Sequence, residues 1–178
     1  MTANDATVVL AHGAWADGSS WAKVIMALAA SGVKAVAAPL PLTSFQDDVA
    51  ALDRTLERVE GPVVLAGHAY AGAVIGATRS EKVKALVYVA ALAPDEGETV
   101  ADVFSCISVA GERPLWKDRP AWFLVAEQDR MIAPQTQRFM AERMKARTRA
   151  HLVDHTPLVT APPFVLDIIR EAVAYVAG

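Results

Sequence analysis

The chain has 178 residues, a length that suits one domain with a sheet buried between helical layers. Hydrophobic residues make up 53% and charged residues 21%, and the formal net charge is −3. An acidic chain without a basic block argues against a nucleic-acid surface, and no apolar run reaches the roughly 20 residues that a membrane span needs. Residues 1–7 show neither the basic nor the apolar region of a signal peptide, so we expect a cytoplasmic protein.

Cysteine and histidine usage gives no sign of a metal centre. Cys106 is the single cysteine, so no internal disulfide can form. No cysteine and histidine pair shows the spacing of zinc ligands. We therefore predict no metal and no cofactor, and we interpret Cys106 as a half-buried small apolar residue rather than a reactive thiol.

Strand-like and helix-like segments alternate along the chain, without internal repeats or a low-complexity linker. The strand-like runs are nearly all apolar, whereas the helix-like segments carry apolar residues at helical spacing. Ser44 is a predicted helix N-cap, and Pro134 is predicted in the first turn of a later helix. The predicted elements are strand 6–11, helix 20–30, strand 34–39, a helix after Ser44, strand 63–66, a helix ending at Thr78, strands 85–91 and 121–126, helix 134–145, strand 149–153 and helix 163–176.

This alternation predicts an α/β fold, a three-layer α/β/α sandwich around a parallel six-stranded sheet, with residues 1–178 in one domain. Buried parallel strands read as continuous apolar runs because helices cover both faces of the sheet. In such sheets ligands bind at the carboxyl ends of the strands, near the point where the strand order reverses. The unusual polar residues of this chain follow predicted strands, so we expect a functional site at that edge.

The third strand runs into residues 67–72 (GHAYAG) and then into a helix. This segment resembles the nucleophile elbow of the α/β-hydrolase family, which reads Gly-x-Ser-x-Gly between a strand and a helix. The elbow strains its central residue, here Ala69, and therefore needs small neighbours, which Gly67, Ala71 and Gly72 provide. Taken alone, the segment is better explained as an ordinary tight strand-to-helix turn.

Three further segments resemble the same family and extend the likeness over nearly the whole chain. Residues 10–15 (LAHGAW) are similar to its His-Gly-x turn, and the resemblance assigns the oxyanion hole to the amides of Ala14 and Tyr70. The turn after the fifth strand resembles the family's acid turn and places Asp129 beside the catalytic histidine. His155, after the last strand, stands where the family has that histidine. The order elbow, acid, histidine is that of the family.

Each of these residues also has a plainer interpretation. Asp129 alone is compatible with an exposed loop carboxylate, and His155 alone with a helix-capping or surface histidine. Their joint occurrence, in order and after strands, favours a catalytic site. The expected substrate pocket includes His12, Trp15 and His68, although His12 better suits a side chain that stabilises its turn.

One stretch narrows the resemblance within the family. Residues 12–21 are similar to a bacterial subgroup of small esterase-like hydrolases, akin to plant-type methyl esterases and hydroxynitrile lyases. The resemblance implies a catalytic-triad hydrolase that acts on a small-molecule ester or carbonyl substrate. It also gives the expected strand order 2-1-3-4-5-6, which sets the turns of Ala14 and Ala69 side by side.

The chain departs from the family pattern at Ala69, which has no nucleophilic hydroxyl. Two origins of the alanine stay open, an engineered replacement of serine and a natural substitution. Our leading interpretation is an esterase-like hydrolase with residue 69 at the nucleophile position. The alternatives are a serine-free lyase or proton-transfer enzyme that uses His155 and Asp129, and a non-catalytic ligand-binding pseudoenzyme.

A second departure is the short connection at residues 92–119, where the family usually inserts a helical cap. The core therefore lacks a full cap domain, and only one or two short helices fit, one of them at Val100–Val109. An open pocket and a trimmed sheet with apolar edges predict a homodimer. The aromatic residues considered for the pocket rim or an interface are Trp15, Phe104, Trp116 and Trp122, with core packing the better interpretation for Trp122.

Overall fold

The computed structural model describes residues 6–98 and 113–178. It contains one six-stranded sheet in the order β2-β1-β3-β4-β5-β6, and every neighbouring pair is parallel. The α/β class, the parallel sheet and the strand order are therefore confirmed. The strands are β1 (Thr7–Ala11), β2 (Lys34–Ala38), β3 (Val63–His68), β4 (Val83–Val89), β5 (Ala121–Ala126) and β6 (Arg147–His151).

Helices cover both faces of the sheet, which gives the predicted three layers. One face packs against α2, α3 and α4, and the other against α1 and α6. β1, β3 and β5 are buried along their whole length, and apart from Thr7 and His68 their residues are apolar, as expected for strands covered on both faces. The helices are α1 (Ala22–Ala30), α2 (Phe45–Arg58), α3 (Ala71–Ala77), α4 (Pro134–Arg143), α5 (Pro157–Thr160) and α6 (Pro162–Ala177).

The start of α2 shows how local sequence sets an element boundary. The Ser44 side chain accepts a hydrogen bond from the Asp47 amide at 3.1 Å, so Ser44 is the predicted N-cap. Leu52 and Leu56 are fully buried against the sheet, one turn apart on the helix. Capping and apolar spacing therefore agree in this helix.

The sixth strand lies two residues earlier than the sequence predicted, at Arg147–His151 rather than 149–153. Four of its five residues are exposed, because β6 is an edge strand whose outer faces meet solvent. Edge strands do not need an apolar run. The prediction placed the strand two residues too late because it followed the apolar pair Leu152 and Val153. The short helix α5 was also not predicted.

Trp116 corrects the expectation of a rim or interface residue. It lies in a 3-10 turn at Leu115–Lys117, and its side chain is buried in the cluster on the α3 face of the sheet. Its Nε1–H donates to the Pro94 carbonyl at 3.2 Å. Trp116 therefore holds the end of the 92–119 connection to the core. Trp122 is fully buried in β5, as predicted.

The predicted helix at Val100–Val109, and with it Phe104 and Cys106, lies outside the described residues. Within the described ranges, no helix is long and apolar enough to cross a membrane.

Candidate active site

The elbow at the end of β3 has the strained geometry that its sequence predicts. Ala69 has a φ of 51°, a left-handed conformation that is uncommon for any residue other than glycine. Hydrogen bonds support this conformation, since the Ala69 carbonyl accepts from Leu92 at 3.0 Å and from Gly72 at 3.1 Å. The structure thus presents residue 69 at the tip of a tight strand-to-helix turn.

Two glycines allow this turn to form. A Cβ atom built at Gly67 would lie 2.8 Å from the carbonyl oxygen of Ala71. One built at Gly72 would overlap the backbone oxygen of Leu92, which follows β4. Both contacts are with backbone, so no side chain can move aside to relieve them. The small-residue requirement read from the sequence is therefore a packing requirement at both positions.

The loop after β1 lies directly against the elbow. A Cβ atom built at Gly13 would be 3.2 Å from the Cβ of Ala69, so the two turns are in contact. Within residues 6–98 and 113–178, the amides of Ala14 and Tyr70 donate no hydrogen bond to protein atoms. They are the two donors that the family resemblance assigned to an oxyanion hole.

His12 is buried and holds the loop after β1 in place. Its Nδ1–H donates to the Gly13 carbonyl at 2.9 Å, and its Nε2 accepts from the Leu40 amide at 3.1 Å. Both ring nitrogens are therefore used by main-chain groups. This arrangement matches the turn-stabilising interpretation, whereas a pocket role would leave a nitrogen for the substrate.

Asp129 and His155 meet across the ends of β5 and β6. The Nδ1 of His155 lies 2.7 Å from Oδ2 of Asp129, and the Asp129 side chain is fully buried. The other carboxylate oxygen accepts from the amides of Met131 at 2.7 Å and Ile132 at 3.0 Å. The acid turn therefore fixes the carboxylate, and the carboxylate fixes the imidazole.

These contacts decide where the His155 proton resides. Burial alone would raise the pKa of Asp129, but the hydrogen bonds from His155, Ile132 and Met131 outweigh it and hold that pKa below the ordinary value. An ionised carboxylate only accepts hydrogen bonds, so Nδ1 of His155 is the donor, and the tautomer of the uncharged ring that fits this contact has its proton on Nδ1. Its Nε2 then has a free lone pair, as a general base requires.

Gln137 is a functional neighbour that the sequence did not reveal. It is fully buried on α4, and its Nε2–H donates to Asp129 Oδ2 and to the Ile132 carbonyl, both at 2.8 Å. Its Oε1 accepts from the Ala126 amide at 3.0 Å. Gln137 thus joins β5, the acid turn and α4. A polar residue eight positions after the acid gives no recognisable signal in a single sequence.

Asp48 is a second residue that the sequence did not reveal. Its buried carboxylate accepts from the Tyr70 hydroxyl at 2.6 Å and from the Leu42 amide at 2.7 Å. The Tyr70 side chain is thereby fixed to α2, while its amide stays at the elbow. Asp48 reads in sequence as one more acidic residue in the first turn of a helix, where acids are common.

His68 lies beneath the elbow, between the Ala69 turn and the His155 loop. Its side chain is only 5% exposed, and its Nε2 is 2.7 Å from the His155 carbonyl oxygen. Its Nδ1 has no hydrogen-bond partner among the described residues. Burial lowers the pKa of His68 to about 4, so the ring is neutral at physiological pH.

This buried neutral histidine predicts a loss of stability in mild acid. Unfolded histidine takes up a proton below its ordinary pKa of about 6.5, whereas folded His68 does so only near pH 4. The free energy of unfolding should therefore fall by about 2 kcal/mol between pH 7 and pH 5. Urea unfolding of the parent and of His68→Gln at both pH values measures how much of this fall is due to His68. An equal fall in both proteins would contradict it.

An open cleft of about 690 Å³ lies at Asp129 and His155 and is lined by residues 127–131 and 154–155. Trp15 follows the turn at residues 12–14, which carries one of the amides that the resemblance assigns to an oxyanion hole and is called the oxyanion turn below. Its side chain is 77% exposed, and its φ is 59°. It lies at the surface, whereas His12 and His68 are buried. Of the three expected pocket residues, Trp15 alone is exposed. Within the described part of the chain, no group of three or more His, Cys, Asp or Glu residues could hold a metal ion.

Solved structures with the same fold include several hydrolases. A pyrethroid hydrolase from Sphingobium faniae JZ-2 is 18% identical, covers 97% of both chains and has a TM-score of 0.74. An extracellular α/β-hydrolase from a Paenibacillus species, described as sharing structural and functional homology with tobacco salicylic acid binding protein 2, is 16% identical. It covers 93% of this chain and 98% of its own, with a TM-score of 0.77.

A mutant of tomato methylketone synthase I is 16% identical, covers 98% of this chain and 99% of its own, and has a TM-score of 0.77. At these identities the likeness concerns the fold. No curated protein sequence is significantly similar to the chain.

A sequence model described as "Alpha/beta hydrolase family" matches residues 8–112. The matched region contains the oxyanion turn and the elbow, and the sheet order and strained residue 69 agree with it. The match covers more than half of the chain. The chain belongs to the α/β-hydrolase family.

Proposed function

We propose that the chain is an esterase-like enzyme that acts on a small ester or other carbonyl compound. His155 is its general base, Asp129 orients that base, and the amides of Ala14 and Tyr70 hold the substrate oxygen. The observation that carries this proposal is the 2.7 Å contact between Asp129 and His155, in a loop that also touches the elbow. Family membership supports a hydrolase-type function.

Ala69 decides which chemistry this site can perform. Without a hydroxyl at residue 69, no acyl-enzyme can form there, and a serine triad that loses its nucleophile loses several powers of ten in rate. The remaining groups form a base and an oxyanion hole. Together they suit direct attack by water on a substrate carbonyl.

In this reaction the Nε2 of His155 takes a proton from water as the water oxygen bonds to the carbonyl carbon. The carbonyl π electrons move to its oxygen, where the amides of Ala14 and Tyr70 stabilise the negative charge. The adduct then expels the alkoxide, which receives the proton from the His155 imidazolium. An ester and water thereby become an acid and an alcohol.

A second candidate is a lyase that acts on a β-keto acid. The missing hydroxyl at Ala69 favours it, and so does a structure of a tomato methylketone synthase I variant complexed with β-ketoheptanoate, with a TM-score of 0.76. Loss of CO₂ from a β-keto acid leaves an enolate. The two amides suit the enolate oxygen, and protonated His155 suits delivery of a proton to carbon.

Replacing the base tests both candidates. Turnover of 4-nitrophenyl acetate or β-ketoheptanoate by the parent should fall by about 10²-fold in His155→Gln, because general-base catalysis contributes at least that factor. His151→Gln, which removes a histidine at the end of β6, serves as the matched control and should leave the rate unchanged. Equal rates in the parent and His155→Gln would contradict the proposal. Binding of either compound without turnover would favour a pseudoenzyme.

The homodimer and the cytoplasmic location stay predictions. Sedimentation velocity of the purified chain and localisation of a tagged copy would measure them.

A further inference from the structure

The His68 side chain contacts both loops that flank the elbow. Its ring centroid lies 4.9 Å from that of His155, and its Nε2 is 2.7 Å from the His155 carbonyl oxygen. On its other side Nδ1 faces Gly13, since a Cβ built there would be 3.2 Å from Nδ1 and equally far from the Ala69 Cβ. One buried imidazole therefore connects the oxyanion turn, the elbow and the His155 loop.

The hydrogen bonding of His68 fixes its tautomer. A carbonyl oxygen only accepts, so Nε2 carries the proton and donates it to the His155 carbonyl. Nδ1 is then an unprotonated nitrogen, buried without a partner among the described residues. A second proton there would be an unpaired buried donor, so the ring stays neutral and keeps its Nε2–H.

We propose that His68 is a positioning residue that fixes the backbone of His155, so that the His155 ring faces residue 69. This inference rests on the proposed function, in which His155 is the base. Burial keeps His68 away from substrate, so the assignment replaces the pocket role expected from the sequence. Its hydrogen bond to His155 is made to the His155 carbonyl, so it acts on the main chain of that residue.

The physical reason is that His155 is held at two points. Asp129 holds the ring at Nδ1, and His68 holds the main chain. With only the first contact, the ring can pivot about the Asp129 carboxylate and carry Nε2 away from residue 69. A displacement of about 1 Å in a catalytic group can cost about 10²-fold in rate.

The tautomer is measurable in the unmodified protein. Nitrogen-15 NMR of the four histidines should show His68 neutral with its proton on Nε2, with His68→Gln assigning the signals. Proton NMR should show the His155 Nδ1–H far downfield, as expected for a short bond to a carboxylate. A proton on Nδ1 of His68 would overturn the proposal, because the bond to the His155 carbonyl could not form.

Two variants test the positioning itself. His68→Leu removes the N–H donor at similar volume, whereas His68→Gln keeps an N–H donor near the position of Nε2. In the Ala69→Ser background, His68→Leu should lower kcat for 4-nitrophenyl acetate by 10- to 100-fold with KM within about twofold, and His68→Gln should restore most of it. Equal kcat in the Leu and Gln variants would overturn the proposal.

The NMR signal separates this inference from the proposed function. If the Ala69→Ser background shows no ester hydrolysis, the function fails, yet the His155 Nδ1–H signal still reports its position. That signal should broaden or shift in His68→Leu and persist in His68→Gln. An unchanged signal in folded His68→Leu would overturn the proposal. If His68→Leu does not fold, as judged by circular dichroism, the tautomer of the parent and the signal of His68→Gln decide.

Discussion

Ala69→Ser is expected to raise the rate of 4-nitrophenyl acetate hydrolysis by about 10³-fold, because it restores a nucleophile to a site whose other parts are present. Alanine already adopts a φ of 51° at this position, so serine adds a hydroxyl without new backbone strain. The neighbouring residue His68 contacts the His155 carbonyl oxygen at 2.7 Å, so the elbow and the His155 loop are adjacent. Steady-state kinetics of the parent and variant, corrected for spontaneous hydrolysis, measure the gain.

Ala90→Ser is the matched control for this change. Ala90 also has a positive φ, 44°, follows the neighbouring strand β4 and is fully buried. The Ala90 amide donates to the Leu124 carbonyl at 3.0 Å, and its side chain packs in the apolar cluster on the α1 and α6 face, whereas Ala69 packs on the other face. A hydroxyl at residue 90 should therefore leave the rate unchanged. A similar rate for Ala69→Ser and the parent, with both folded, would contradict the placement of residue 69 opposite the base.

Asp129→Asn in the Ala69→Ser background is expected to lower kcat by about 10³- to 10⁴-fold, as loss of the orienting acid does in serine triads. An asparagine amide donates where the carboxylate accepted, which favours the His155 tautomer with its proton on Nε2. The same amide would face the Gln137 N–H, 2.8 Å from Oδ2, donor against donor. Steady-state kinetics and thermal unfolding of the variant separate the catalytic loss from a stability loss.

Asp154→Asn provides the comparison for Asp129→Asn. Asp154 is adjacent to His155, but its Oδ1 accepts from the Thr156 amide at 2.8 Å and the Thr160 hydroxyl at 3.0 Å. It stabilises the start of α5 rather than the imidazole. Its replacement should change kcat by no more than about threefold, a size typical of a neighbouring surface charge. Equal losses of kcat in the two variants would mean that the negative charge of the cleft, and not the orientation of His155, governs the rate.

The sequence predicted the sheet and the meeting of three loops because both depend on local patterns. Apolar runs between helical segments predicted the succession of strands along the chain. The family resemblance supplied their spatial order and identified the small residues around Ala69 as an elbow. Parallel strands then bring their carboxyl ends to one edge, so the turns carrying Asp129 and His155 had to lie near Ala69.

The supporting contacts could not be predicted because they join residues far apart in the chain. Asp48 reaches Tyr70 from another helix, and Gln137 reaches Asp129 from α4. A single sequence shows no pattern for such pairs. Trp116 was misplaced for a related reason, since a tryptophan in an irregular connection has no periodicity from which to predict its burial.

Covalent labelling tests the central claim most directly, that residue 69 faces the His155 base and the two amides. Phenylmethylsulfonyl fluoride should add one sulfonyl group to residue 69 of Ala69→Ser, located by peptide mass spectrometry, as His155 accepts the hydroxyl proton and fluoride leaves. The adduct should be absent from Ala90→Ser and from Ala69→Ser with His155→Gln. No adduct at residue 69 of the folded Ala69→Ser protein would contradict the account.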